Sequence, residues 1–340
     1  MQSAECAVMA APPIRDDGRA IGTIDVSVCI ANWNCRDLLR GCLQSLTDDW
    51  QGVRLETIVV DNASTDGAAG MVVREFPHVR LIRNAKNAGF ARANNQAMAE
   101  ARGCYLFFLN NDTEVPPGTL RRLLDYLEAN PKVGMVGPRL RDGQGNIQVS
   151  YRPRPTVATL LHKTALFRWT GLFRSAYQAY RRREFDPETT AAVDVLMGAA
   201  VLVDRKRFLA WGGWDEDFTF GGEDMELSYR INRQASVVFY PGAEIIHFGR
   251  SSTRKNIRFA SLNIAVGLVQ YLRKTGCSRA GIWAFKLAVT VDAPLQFLVK
   301  GSQYLIRRLL RQKKKAEQSL LALRGLGHFL TRGLTRFWNA

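Results

Sequence analysis

Between Ile24 and Leu109 one pattern recurs: an apolar, largely β-branched run, a polar turn, then an amphipathic stretch. "IDVSVCI" leads through "ANWN" into "CRDLLRGCLQSL", where Leu38, Leu39, Cys42, Leu43 and Leu46 share one helical face. "LETIVVDNASTDGAAGMVVREF" repeats the unit, and "VRLIRNAKNAGFARANNQAMAEARG" repeats it again ahead of "CYLFFL". Strands apolar on both faces, alternating with amphipathic helices, predict an α/β fold: a doubly wound, mostly parallel sheet flanked by helices.

In such sheets ligands bind beyond the carboxyl ends of the strands. The polar clusters fall there: "NWN", "DNASTD", "NAKNAG" and "NNDT" follow four successive strands, which predicts one shared site. Downstream, "VGMVGPRL" reads as a strand, and residues 151–186 as a helical or loop insertion beside the site. "VDVLMGAAVLVDR" reads as one buried strand, "WGGWDEDFTFGGEDMELSYRINRQ" as a glycine-rich loop entering a helix, and "SVVFYPGAEIIHFG" as two short strands.

Each cluster has a structural and a chemical reading. Asn110, Asn111 and Asp112 can form an Asx turn, or Asp112 can face a divalent cation, a hard ion that prefers oxygen ligands. Ser64 or Asp66 can cap a helix, but capping does not account for Asp61 at the strand end. Glu223, Asp224 and Glu226 suit the first turn of a helix, each worth about 0.3–1 kcal/mol against the dipole. A carboxylate at the mouth of a glycine-rich loop is also placed to act as a general base. His247, at a strand end, is either structural or a ligand. The absence of GxGxxG and GxxxxGK[ST] removes the dinucleotide-binding turn and the P-loop.

In this order, "VSVCIANWN", "VVDNASTDG", "NAKNAGFARANN", "FLNNDTEV", "MGAAVLVDR", "GGWDEDFTFGGEDMELSYRI" and "HFGRSS" resemble the nucleotide-sugar glycosyltransferases of family 2, of GT-A fold. The likeness is greatest to the bacterial rhamnosyltransferase-like branch and covers residues 25–253. It implies an inverting transfer of a sugar, rhamnose or a hexose, from a nucleoside diphosphate donor to an acceptor hydroxyl. By the same resemblance, Asn32, Asn34, Asp61, Asn62, Asn87, Gly89 and Asn94 bind the nucleotide. Asp112, with His247, holds Mg²⁺ or Mn²⁺; Asp224 is the catalytic base; Trp214, Asp215 and Glu223 belong to an acceptor or donor loop. Asn110 stands where a strict DxD motif has its first carboxylate, so metal binding rests on Asp112 and the diphosphate. A nucleotidyltransferase and a non-catalytic, sugar-nucleotide-binding membrane scaffold are the alternatives.

Net charge divides the chain. Residues 1–249 hold 29 Lys+Arg against 29 Asp+Glu, and residues 250–340 hold 18 against 2. The excess belongs to residues 254–340, read as a basic amphipathic helical extension lying on an anionic membrane surface. Within it, 281–299 approaches the length of a membrane span, but Lys286, Asp292 and Pro294 interrupt the apolar run. Stacking aromatics interleaved with bases are missing, which argues against nucleic acid. Six cysteines without metal or disulfide spacing suit a reducing compartment, and residues 1–24 read as a loose tail. The expectation is a cytoplasmic enzyme, peripheral on the inner face of the membrane, with a lipid-linked or polysaccharide acceptor.

Overall fold

The computed structural model describes residues 24–46, 52–182, 185–249 and 257–340. The expected tail at 1–24 lies almost wholly outside the described residues, as does the junction at 253/254.

The four apolar runs are β1 (Val26–Asn32), β2 (Leu55–Asp61), β3 (Arg80–Arg83) and β4 (Tyr105–Leu109), paired in parallel in the order β3-β2-β1-β4. Between them run α1 (Arg36–Ser45), α2 (Ala68–Glu75) and α3 (Phe90–Glu100). Alternate residues of β1 feed both layers: Val26, Val28 and Ile30 pack with Leu39 and Leu43 of α1, and Cys29 with Ala93 and Ala97 of α3. Burial on both faces is why these strands lack polar alternation. Because β2 and β4 flank β1 on opposite sides, the strand order reverses there, and the carboxyl ends of β1, β2 and β4 open a crevice.

The sheet continues as β4-β11-β6-β12-β5. After β5 (Thr113–Glu114) come α4 (Thr119–Ala129), β6 (Val133–Arg141), β7 (Ile147–Gln148) and β8 (Tyr151–Arg152). The insertion then folds as α5 (Val157–His162), α6 (Ala165–Thr170) and α7 (Arg174–Arg182). It is followed by β9 (Ala191–Ala192), β10 (Val195–Leu196), β11 (Ala200–Asp204), α8 (Arg205–Ala210), α9 (Glu223–Asn232) and β12 (Ser236–His247).

Two strand expectations change. "VDVLMGAAVLVDR" is two strands: β10 pairs with β8 outside the main sheet, and β11 enters it antiparallel to β4 and β6. The turn at 197–199 carries the chain from one sheet to the other. Conversely, "SVVFYPGAEIIHFG" contains one strand, β12, whose register shifts between Tyr240 and Glu244. An irregularity absorbs Pro241 and Gly242 there without ending the ladder.

The basic region forms α10 (Ile257–Lys274), α11 (Arg279–Leu309), α12 (Lys313–His328) and, after a π turn, α13 (Leu334–Asn339). These helices share a core with the insertion and the glycine-rich loop, joining Leu160, Phe218, Met225, Val269, Tyr271, Phe285 and Phe337. The backbones touch where α10 passes the loop: a Cβ on Gly267 would lie 1.8 Å from the Gly221 carbonyl oxygen. Helix α11 runs unbroken through Lys286, Asp292 and Pro294, the residues that interrupt its apolar run. The two charged groups turn inward instead: Lys286 Nζ donates to the Trp338 carbonyl at 2.7 Å, and Asp292 Oδ1 accepts from Ala165 N–H at 2.6 Å.

Candidate active site

The four strand-end clusters are tied to one another by amide side chains. Asn32, the last residue of β1, donates through Nδ2 to Asp61 Oδ1 at 2.9 Å and accepts at Oδ1 from Asn111 Nδ2 at 2.7 Å. Asp61 Oδ2 takes the Ser64 N–H at 3.0 Å, and Asn34 Oδ1 takes that of Thr65 at 2.8 Å. Asn62 accepts from Asn84 Nδ2 at 2.8 Å and donates to the Gly89 carbonyl at 3.2 Å. Asn87 Oδ1 accepts the Gly89 N–H at 2.9 Å. Gly89 has φ +91°, and a Cβ there would meet the Thr219 carbonyl at 2.6 Å, so this close approach requires glycine.

The crevice holds a cavity of about 260 Å³ lined by Asn32, Asn62, Asn87, Gly89 and Asp112 among the expected residues. His247 lines it as well, and four aromatics form much of the rest of its wall: Trp33, Phe90, Phe220 and Phe259, with the Trp33 and Phe259 rings 5.1 Å apart and Phe259 supplied by α10. Asn34, Asp61 and Asn94 do not line it; the first two pin the loops behind the wall, and Asn94 donates to the Phe90 carbonyl at 3.0 Å. Trp214 is buried among Phe90, Phe108 and Phe208, and Asp215 pairs with Lys274 Nζ at 2.5 Å. Neither lines this cavity.

Asp112 and His247, 135 positions apart, meet because β5 pairs with the end of β12, setting His247 opposite Thr113. His247 Nε2 lies 3.5 Å from Asp112 Oδ1, and Nδ1 lies 2.9 Å from Gln148 Oε1. A hydrogen on Nδ1 donated to Gln148 turns the Nε2 lone pair toward the carboxylate. An imidazole oriented from behind and a carboxylate beside it suit a shared cation. Among the described residues no group of three or more His, Cys, Asp or Glu could hold a metal, so further ligands would come from a bound molecule.

A second cavity of about 640 Å³ adjoins the first, sharing Phe90, Asn110, Phe220 and His247. Glu223 and Asp224, at the start of α9, line it. Asp224 Oδ1 accepts its neighbour Met225 N–H at 2.9 Å, and Oδ2 accepts from Arg152 Nη2 at 3.0 Å. Glu223 Oε2 is buried without a hydrogen-bond partner. Burial, and the Asp224 carboxylate beside it, push Glu223 up to about 8. The folded chain therefore keeps a proton that the unfolded chain releases near its ordinary value of 4.5, and stability falls as pH rises from there to about 8. Glu223→Gln does not titrate, so its melting temperature should rise relative to wild type across that interval and match it near pH 4. A pH-independent difference would contradict the buried proton.

Trp33, Phe259, Arg152 and Gln148 were not singled out from the sequence. Trp33 sits inside the quoted "NWN", and an aromatic at a ligand-binding strand end is the signal that could have found it. Phe259, Arg152 and Gln148 have no local signal, because only tertiary docking brings them in.

Residues 27–188 match the sequence model of glycosyl transferase family 2. The N-acetylglucosaminyl-diphospho-decaprenol L-rhamnosyltransferase of Mycobacterium tuberculosis is 29% identical over 217 residues, covering 59% of this chain and 69% of that protein. Among solved structures, the mannosyltransferase PcManGT from Pyrobaculum calidifontis, in complex with GDP-Man and Mn²⁺, aligns with a TM-score of 0.50 at 20% identity, over 90% of this chain and 87% of its own. GalNAc-T7 with UDP, GalNAc and Mn²⁺ aligns with a TM-score of 0.50 at 16% identity, over 73% of this chain and 48% of its own. Both likenesses carry the GT-A fold. Residues 27–188 thus form a domain that matches glycosyl transferase family 2, and the chain is similar in sequence to an L-rhamnosyltransferase.

Proposed function

We propose that the protein transfers a sugar, with inversion, from a nucleoside diphosphate donor to an acceptor hydroxyl, in cell-surface polysaccharide or lipid-linked glycan synthesis. The observation that carries this is the continuity of two cavities, one framed by asparagines, aromatics and the Asp112–His247 pair, the other by Asp224. The nucleotide occupies the first, its base against Trp33 or Phe259 and its polar edges on Asn32, Asn62 and Asn87. Asp61 and Asn34 act through the loops they hold. The likeness to a rhamnosyltransferase favours a dTDP-rhamnose donor.

Asp112 and His247 would hold Mg²⁺ or Mn²⁺, and both solved relatives were seen with Mn²⁺. Bound there, the ion would stabilise the charge developing on the leaving diphosphate. Each Asp224 oxygen keeps lone-pair capacity beyond its one protein partner. Asp224 takes the acceptor hydroxyl proton as that oxygen bonds to the anomeric carbon. The anomeric C–O bond opposite breaks, and nucleoside diphosphate leaves.

The products test the reaction. Incubation with dTDP-rhamnose, UDP-hexoses and Mn²⁺ should release nucleoside diphosphate in step with glycosylated acceptor; pyrophosphate release would identify a nucleotidyltransferase, and no turnover a scaffold.

An anionic membrane completes the assignment, with the protein on its cytoplasmic face. Helix α11 is long and apolar enough to cross a bilayer, yet its inward face is committed to the protein. Outward it shows Trp283, Leu287, Val291, Leu295 and Leu298 at helical spacing, in a region rich in Lys and Arg. Such a face inserts at the interface while each cation near the surface adds about 1 kcal/mol. A Leu287→Asp, Leu298→Asp double variant should lose cosedimentation with phosphatidylglycerol vesicles, and wild-type binding should weaken with salt. Retained, salt-insensitive binding would contradict the interfacial placement.

A further inference from the structure

A third cavity, of about 1310 Å³, opens beside the Asp224 cavity between β8 and the inserted helices. The two share Arg152, Lys163, Tyr180, Met197 and His247. Its cations are Arg152, Lys163 and Arg181. Asp142 supplies a carboxylate at its lining, and that side chain is engaged locally, accepting from the Gln144 and Asn146 N–H groups at 2.9 Å each.

The surrounding segment is itself basic: residues 151–186 hold eight Lys+Arg against two Asp+Glu, an excess hidden within the neutral balance of residues 1–249. Lys163 meets no carboxylate among the described residues; its Nζ stands 5.2 Å from the Tyr180 ring centroid. Arg152 straddles the two cavities. Nη2 is spent on Asp224, while Nε is buried and has no hydrogen-bond partner. A buried guanidinium nitrogen left without an acceptor is costly unless a ligand completes it.

We propose that Arg152 and Lys163 form the binding site for a phosphate-bearing acceptor, whose phosphate draws Arg152 away from Asp224 and so frees the base only when the acceptor is in place. This rests on the transfer reaction proposed above. A phosphate is the natural occupant because a guanidinium binds it bidentately, satisfying Nε and Nη together, with the lysine as a second point charge. The exchange gives the Arg152–Asp224 pair a purpose: without acceptor, Asp224 Oδ2 is held by the guanidinium and water in the cleft competes with it for that oxygen. Nearby, α6 exposes Trp169 and packs on α11, so an apolar chain attached to the phosphate has a surface to follow.

The test uses the full chain and three probes: inorganic pyrophosphate, farnesyl diphosphate and farnesol. Titration calorimetry in EDTA keeps diphosphate from being recruited by a metal at Asp112. Both diphosphates should bind and farnesol should not. Arg152→Gln and, separately, the exposed-site variant Lys163→Gln should each weaken binding about ten- to hundredfold, and Asp112→Ala should leave it intact. Tighter binding of farnesyl diphosphate than of pyrophosphate would assign a lipid-linked phosphate; equal binding would assign the phosphate alone.

The release of Asp224 has its own readout, the slow hydrolysis of donor with excess Mn²⁺. Farnesyl diphosphate should accelerate it in wild type, whereas Arg152→Gln should hydrolyse donor at the higher rate without any probe. The proposal is overturned by diphosphate binding that both variants leave unchanged, by loss of binding in Asp112→Ala, or by hydrolysis in Arg152→Gln that still depends on the probe. Donor binding with Mn²⁺ is measured on every variant, since its absence in wild type would count against the transfer reaction rather than the acceptor site.

Discussion

Asp224→Asn is expected to lower kcat by about 10²–10⁴-fold, the usual contribution of a positioned general base, with donor binding unchanged. The substitution preserves shape. An asparagine Oδ1 can still accept from Arg152, whose Nη2 lies 3.0 Å from the present carboxylate, so the local fold survives. What disappears is the capacity to hold a proton taken from the acceptor. The adjoining first cavity, lined by Asn32, Asn62 and Asp112, does not include Asp224. Nucleoside diphosphate binding therefore reports folding, and turnover reports the base. Rates at saturating donor separate the two, and undiminished turnover would remove Asp224 from its assigned role.

Asp112→Ala should have a comparable effect by another route. The carboxylate is buried and aimed at His247 Nε2, 3.5 Å away, so its loss leaves an imidazole facing an unfilled space. If the leaving diphosphate depends on a cation there, several kcal/mol of transition-state stabilisation is lost, or about a thousandfold in rate. Gln148→Ala is the graded companion. It removes the acceptor that orients His247 at Nδ1 without touching the ligands, and should weaken Mn²⁺ about 10–100-fold, the usual effect of such a partner. Manganese titrations followed by activity or by electron paramagnetic resonance would rank wild type, Gln148→Ala and Asp112→Ala in that order. Equal affinity in all three would place the cation elsewhere or dispense with it.

The order of these residues along the chain explains what sequence reasoning could reach. The strand ends bearing Asn32, Asn62, Asn87 and Asp112 were legible because period and polarity change together where a buried strand meets a turn, and parallel topology brings such ends to one edge. The junction of a glycine-rich loop and a helix at Glu223 and Asp224 was legible for a similar reason. Asp61, Asn34 and Asn94 share the composition of their neighbours, yet their side chains are directed to loop carbonyls, amides and N–H groups. One-residue differences in direction do not show in composition. Trp214 and Asp215 looked like parts of a ligand loop because aromatics and acids near glycines suit both roles. In the structure Trp214 packs on Phe108 and Asp215 pairs with Lys274.

The basic region was the hardest to read. Its charge suggested an appendage, whereas its first helix contributes Phe259 to the first cavity and lies against Gly221 with no room for a side chain. Although Pro294 removes a backbone donor, α11 stays continuous and packs against the insertion and α13. Helix existence followed from amphipathic pattern; which face met the enzyme did not, since apolar residues occur on both the packed and the outward side.

The most direct test of the central claim is the melting temperature of the protein with a panel of nucleoside diphosphates, each with and without Mn²⁺. A ligand at a hundredfold its Kd stabilises the native state by about 2.7 kcal/mol, a shift readily seen. The account predicts that one nucleoside diphosphate raises the melting temperature only when Mn²⁺ is present, and that Asp112→Ala abolishes the shift. A shift of equal size without metal, or one retained in Asp112→Ala, would contradict it.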